Sequence, residues 1–231
     1  MNVIEVSDLA FRWPRQASDV LKISEFTVKQ GEKVFLEGPS GSGKSTLLGL
    51  LAGINQASHG EVTILGQKFS ELKGSQRDKF RANHIGYIFQ MFNLLPYLSV
   101  IENVMLPCRF SPLRQQRINS SLEQEAKRLL KQLHLPTDCL NKPISELSIG
   151  QQQRVAAARA LMGQPELLIA DEPTSSLDHN NREAFIELLM TECERSNTTL
   201  LFVSHDQTLQ GLFDRTVSLN EINTTHHETT S

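Results

Sequence analysis

The sequence predicts an α/β fold in which an open, parallel sheet is broken by a helical insert. Leu167–Ala170 and Thr199–Val203 are apolar runs, the mark of strands buried on both faces of a parallel sheet. Lys33–Glu37 is a β-prone run that stops at Gly38, after which leucines mark a helix. The strand–helix alternation fails over about residues 91–147, where helical signals take over.

Taken in order, Val3–Val6 and Ile23–Val28 read as early strands joined by a loop at Trp13–Asp19. After the glycine stretch, a helix carrying Leu47, Leu48, Leu50 and Leu51 ends near Gly53. Glu61–Leu65 and Ile85–Phe89 are further strands. Ser99 with Glu102, and Ser120 with Glu123, have capping-box spacing. Leu122–Leu135 shows apolar residues at helical spacing and is closed by Pro136. A helix from about Ser148 runs through Ala156, Ala157, Ala158 and Ala160. The expected organisation is one domain over 1–223, with a helical subdomain at about 91–147, and a polar tail at 224–231 that frays, His226 and His227 included.

The chain has 231 residues, 39% of them hydrophobic and 21% charged, so a packed core is affordable. A formal net charge of -3 gives no general attraction to nucleic acid or to an anionic membrane. The N-terminus lacks the basic-then-apolar pattern of a secretory leader, and no apolar run reaches the ~18–20 residues that span a bilayer. Cys108, Cys139 and Cys193 have no pairing pattern, which suits a reducing compartment.

The stretch Gly38, Pro39, Ser40, Gly41, Ser42, Gly43, Lys44, Ser45 and Thr46 fits the pattern G-x-x-x-x-G-K-[ST], between a β-run and a helix. Its glycines let backbone N–H groups converge on a phosphate, and the helix adds its positive end. Lys44 is expected at the β- and γ-phosphates of ATP and Ser45 at Mg²⁺.

Leu167–Pro173 is an apolar strand ending in two acids, and open α/β sheets bind ligands at the carboxyl ends of strands. Asp171 is therefore expected to hold Mg²⁺, and Glu172 to align and deprotonate an attacking water. His205 follows the strand at Thr199 and is expected at the γ-phosphate. Gln90, ending IGYIFQ, offers a neutral oxygen to Mg²⁺ or water.

Leu147-Ser148-Ile149-Gly150-Gln151, followed by QQRVAAARAL, resembles the ABC signature LSGGQ, with Ile149 in place of its first glycine. Together with the phosphate loop, Gln90, Leu167–Glu172, Ser175–Asp178 and His205, it makes residues 2–220 similar to an ABC ATPase domain. The resemblance implies an ABC-type core with an antiparallel β subdomain and an inserted α-helical subdomain. It implies that Ser148, Gly150 and Gln151 meet ATP held by a second, head-to-tail copy. It places Trp13 on the adenine, with Phe11 the alternative. His84–Pro107 resembles the ATPases of the lipoprotein-releasing and macrolide-exporter group, which drive FtsX-like permeases. The resemblance thus implies a peripheral subunit on the cytoplasmic face of the inner membrane. The permease would dock near Met91–Leu98, and any periplasmic partner would be reached through it. The competing expectation is a soluble ABC ATPase not engaged in transport.

Overall fold

The computed structural model describes residues 1–175 and 179–227. In chain order the elements are β1 (Asn2–Phe11), β2 (Leu21–Lys29), β3 (Lys33–Glu37), α1 (Lys44–Leu51), β4 (His59–Ile64), β5 (Gln67–Lys68), α2 (Gly74–His84) and β6 (Ile85–Ile88). Then follow α3 (Val100–Phe110), α4 (Pro112–Gln116), α5 (Leu122–Gln132), α6 (Ile149–Leu161), β7 (Leu167–Asp171), α7 (His179–Ser196), β8 (Thr199–Ser204), β9 (Arg215–Ser218) and α8 (Leu219–Ile222). The result is a mixed α/β fold with antiparallel and parallel pairing, as the sequence predicts. It divides into two compact units, residues 1–81 with 201–231, and residues 82–200.

In the first unit, β2-β1-β4-β5 form an antiparallel sheet and β3 pairs in parallel with β9. Alternate residues of β1 and β2, such as Ile4, Val6, Leu21 and Ile23, are buried, as expected of strands with one covered face. The first strand is longer than Val3–Val6. Polar Ser7 and Asp8 mask its second half, where Asp8 takes φ 47° and the pairing with β4 slips between Ser7 and Ala10. Such a bulge keeps the strand paired across residues that break alternation. The tail is also better held than composition suggests. Asn223 accepts from the Lys22 N–H at 2.9 Å, Thr224 donates to the Lys22 carbonyl at 3.1 Å, and residues Thr224–His227 close a 3₁₀ turn. Only 228–231 of the expected tail lie outside the described residues.

In the second unit, β6 and β7 run parallel, with Ile85 opposite Leu167 and Ile88 opposite Ala170. Helix α6 packs on β6, α3, α5 and α7. Buried Ala156–Ala158 let it come close, and a Cβ on Gly86 of β6 would lie 2.4 Å from the Ala160 carbonyl oxygen. The Ser99–Glu102 capping box forms as expected. The second box is Ser121 with Gln124, one residue beyond the expected Ser120 and Glu123, because that register buries Ala126, Leu129 and Leu130.

Two arginines tie the insert to the start of the strands. Arg114 is buried and donates to the carbonyls of Ile85 at 2.6 Å and Met162 at 3.0 Å. Burial pushes its pKa down to about 10. Arg117 pairs with Glu166 at 2.5 Å, and His84 Nδ1 lies 3.1 Å from the same carboxylate.

Candidate nucleotide site

The phosphate loop lies in the first unit. Val34, Phe35 and Leu36 are fully buried, which fixes the end of β3 and so the origin of the loop. The turn into α1 is made by Gly43 at φ 99°, where a Cβ would also strike Leu21 at 2.8 Å. No side chain caps α1, so its first-turn N–H groups are left for an outside acceptor. The Lys44 ammonium donates to the carbonyls of Gly38 at 2.5 Å and Pro39 at 3.0 Å, folded across the loop. Ser42 Oγ is buried there without a hydrogen-bond partner. An orphaned hydroxyl, uncapped helix N–H groups and an ammonium at one turn are the donor set that a polyphosphate satisfies.

His205 follows β8 and lines a cleft with Glu37, Gly38, Pro39, Gln207 and Asn220. Glu37 and its partners form a contact outside the predicted site residues. Gln207 and Gln210 donate to the Glu37 carboxylate at 3.1 and 2.6 Å, which steadies the chain on either side of that cleft. No motif marks this, because it joins residues from opposite ends of the chain.

Trp13 and Phe11 differ in exposure. Phe11 is buried, whereas Trp13 is 39% exposed and stands edge-on to Phe11, with centroids 4.9 Å apart. Trp13 is the more accessible of the two rings. Its loop returns to the phosphate site. The Val20 N–H donates to the Phe11 carbonyl at 2.8 Å, and Val20 and Leu21 border Gly43.

The second unit holds the remaining candidates. Because Ile88 stands opposite Ala170, Gln90 and Asp171 emerge from the same end of adjacent strands. Burial, and then the negative charge of Asp171, push the Tyr87 hydroxyl pKa upward. Glu172 is 9% exposed and takes φ 47°. A non-glycine residue held left-handed costs about 1–3 kcal/mol and is found where surrounding structure enforces it, often at functional sites. Among the described residues no group of three or more His, Cys, Asp or Glu could cage a metal. Gln90 and Asp171, at the same strand ends, are oxygen donors of the kind that hold Mg²⁺ together with phosphate and water.

Ser148 is the N-cap of α6, so Ile149 and Gly150 occupy its first turn. The Gln151 N–H donates to Ser148 Oγ at 3.3 Å, and the Ser148 N–H donates to Gln151 Oε1 at 2.8 Å. Ser148, Gly150 and Gln151 line a cleft with His134, Pro136, Arg154 and Phe185. The Ile149 side chain is 56% exposed and so does not collapse onto the core. Of the segment Ser175–Asp178, Ser175 is exposed, and Ser176, Leu177 and Asp178 lie outside the described residues.

An uncapped glycine loop before a helix, and an acid pair closing a buried strand, are features of a phosphate-loop nucleoside triphosphatase. The ABC transporter family profile matches residues 21–175, and the chain belongs to that family as an ATP-hydrolysing cassette. It is 41% identical over 222 residues to YbbA of Escherichia coli K12, described as an uncharacterized ABC transporter ATP-binding protein, covering 94% of each chain. It is 38% identical over 221 residues to the lipoprotein-releasing system ATP-binding protein LolD of Hydrogenovibrio crunogenus, covering 95% of this chain and 94% of that protein. Among solved structures, the ATP-binding cassette MJ0796, a dimer in a post-hydrolysis state bound to ADP and Pi, superposes with a TM-score of 0.82. It is 33% identical and 93% of both chains is covered. Among the described residues no helix is long and apolar enough to cross a membrane.

Proposed function

We propose that the chain is the ATPase subunit of a complex with a separate FtsX-like permease, driven by closure of a head-to-tail dimer at the cytoplasmic face of the inner membrane. Residues 1–223 act as one ATPase domain, with the helical subdomain at about 91–147. Trp13 stacks on the adenine, and the loop Gly38–Thr46 with Lys44 cradles the β- and γ-phosphates. Ser45, Gln90 and Asp171 hold Mg²⁺, which when bound supplies positive charge to the phosphate oxygens. Glu172 accepts a proton from the water that attacks the γ-phosphorus, and ADP leaves as that bond forms. His205 steadies the γ-phosphate and the water. Ser148, Gly150 and Gln151 of the second copy complete the site, where the first turn of α6 turns its positive end to the anion.

The observation that carries the permease assignment is the loop after Gln90. Met91 is 81% and Tyr97 77% exposed on a segment anchored by hydrogen bonds from Arg159 and Asn103. In this reading the two side chains belong to one exposed apolar patch, the kind of surface that marks an interface. Val100 and Phe92 are buried, whereas Leu98 is half-buried. The likeness to LolD over nearly the whole chain supports the same reading. The test is co-purification from detergent extracts of the native membrane. Met91→Asp and Tyr97→Asp are expected to fold and bind ATP yet leave the membrane fraction. Wild-type recovery with the permease would overturn the docking assignment.

A further inference from the structure

The loop that begins at Gln90 is held by a side chain from α6. Arg159, in the last turn of that helix, donates from Nη1 to the Asn93 carbonyl at 2.7 Å and from Nη2 to the Phe92 carbonyl at 2.5 Å. Phe92 and Asn93 both take left-handed backbone, at φ 59° and 49°. Two such non-glycine residues in succession are unfavourable unless something holds them. The guanidinium is buried, and that burial pushes its pKa down. Both acceptors are carbonyl oxygens, so the fork serves to fix backbone. Asn103 of α3 secures the far end of the loop. Its amide accepts from the Leu95 N–H at 2.9 Å and donates to the Leu95, Leu98 and Ser99 carbonyls at 3.0–3.2 Å.

One end of α6 therefore presents Ser148 and Gly150, and the other grips the residues immediately after Gln90. A helix transmits axial displacement with little loss, since its hydrogen bonds run along its length.

We propose that Arg159 is a positioning residue for Gln90, locking the loop that carries Gln90 to the helix whose first turn carries the signature. The two then move as one body. This inference rests on the roles given above to Gln90 and to the signature. Arg159 touches no nucleotide; it acts through Phe92 and Asn93.

The test uses the full chain and compares Arg159→Gln, Arg159→Lys and Gln90→Ala. Arg159→Gln is expected to lower kcat about 10- to 100-fold, the cost of a small misplacement in a catalytic site, with KM for ATP changed less than about twofold. Amide hydrogen exchange should accelerate at Phe92 and Asn93, while Val155–Ala158 in the middle of α6 keep wild-type protection. Arg159→Lys, which retains a charge but loses the fork, should fall between. If Arg159→Gln does not fold, Arg159→Lys carries the same measurements. Wild-type kcat in the Arg159 variants, or exchange that accelerates evenly across residues 82–200, overturns the proposal and leaves a packing role. Wild-type kcat in Gln90→Ala overturns the reading of Gln90, and the positioning role with it. Reduced kcat in Gln90→Ala beside normal Arg159 variants removes the positioning role alone.

Discussion

Ser148 and Gln151 cap one another at the start of α6, each backbone N–H donating to the other's side-chain oxygen. The helix end is thereby set before any second copy arrives. An arginine at position 148 would remove one cap and place a positive charge at the positive end of the helix. Ser148→Arg is expected to abolish hydrolysis and leave ATP binding by the isolated subunit largely intact, as read by nucleotide titration. Mixed with Lys44→Ala, it should restore at most one working site per dimer. Full turnover by Ser148→Arg alone would contradict a shared site.

Glu172→Gln keeps the shape of the side chain at the left-handed turn that ends β7, and removes the carboxylate proposed above as the proton acceptor. Hydrolysis should fall about 10²–10⁴-fold while ATP binding persists, and size-exclusion chromatography with ATP should show a trapped dimer. Near-normal turnover would remove Glu172 from the role of base.

Ile149 projects into solvent beside the cap, so little packing is lost when it is cut back. Ile149→Gly should leave ATP turnover unchanged or raised, with a stability cost of no more than about 1 kcal/mol for glycine in the first turn. A large loss of activity would mean that this side chain makes a contact the closed dimer needs.

Glu166 supplies a pH dependence. Burial would raise its pKa, but the hydrogen bonds from His84 and Arg117 outweigh that and hold the carboxyl below its usual 4.5. A depressed carboxyl stabilises the fold above its unfolded value and loses that contribution as pH falls through the folded one. The stability gap between wild type and Glu166→Gln in urea titrations should therefore be full at neutral pH. It should close as pH drops below 4.5. A gap independent of pH would assign the effect to shape.

Much of this fold can be read in the residues. Lys33–Glu37 is bounded as expected because an apolar run stops abruptly at a glycine that cannot extend it. The signature helix starts at its Ser–Gln cap for the same local reason. At the start of α5 two local solutions compete. Ser120 and Ser121 are both caps in waiting, and only the burial of Leu129 and Leu130 chooses between them. The phosphate loop was legible because its chemistry is contiguous. Arg114, Arg159 and the Glu37–Gln210 contact were not, since each joins a side chain to segments tens of residues away and leaves no periodic trace. The left-handed turn at Glu172 was also silent, as nothing in the letters fixes a positive φ.

Trp13 is the only tryptophan in the chain. Its indole rests against the buried Phe11, and its loop borders the glycine turn that opens α1. The native chain thus contains its own optical gauge. All indole emission comes from this one ring, so a spectral shift on adding ATP can be assigned to it without labelling or mutation.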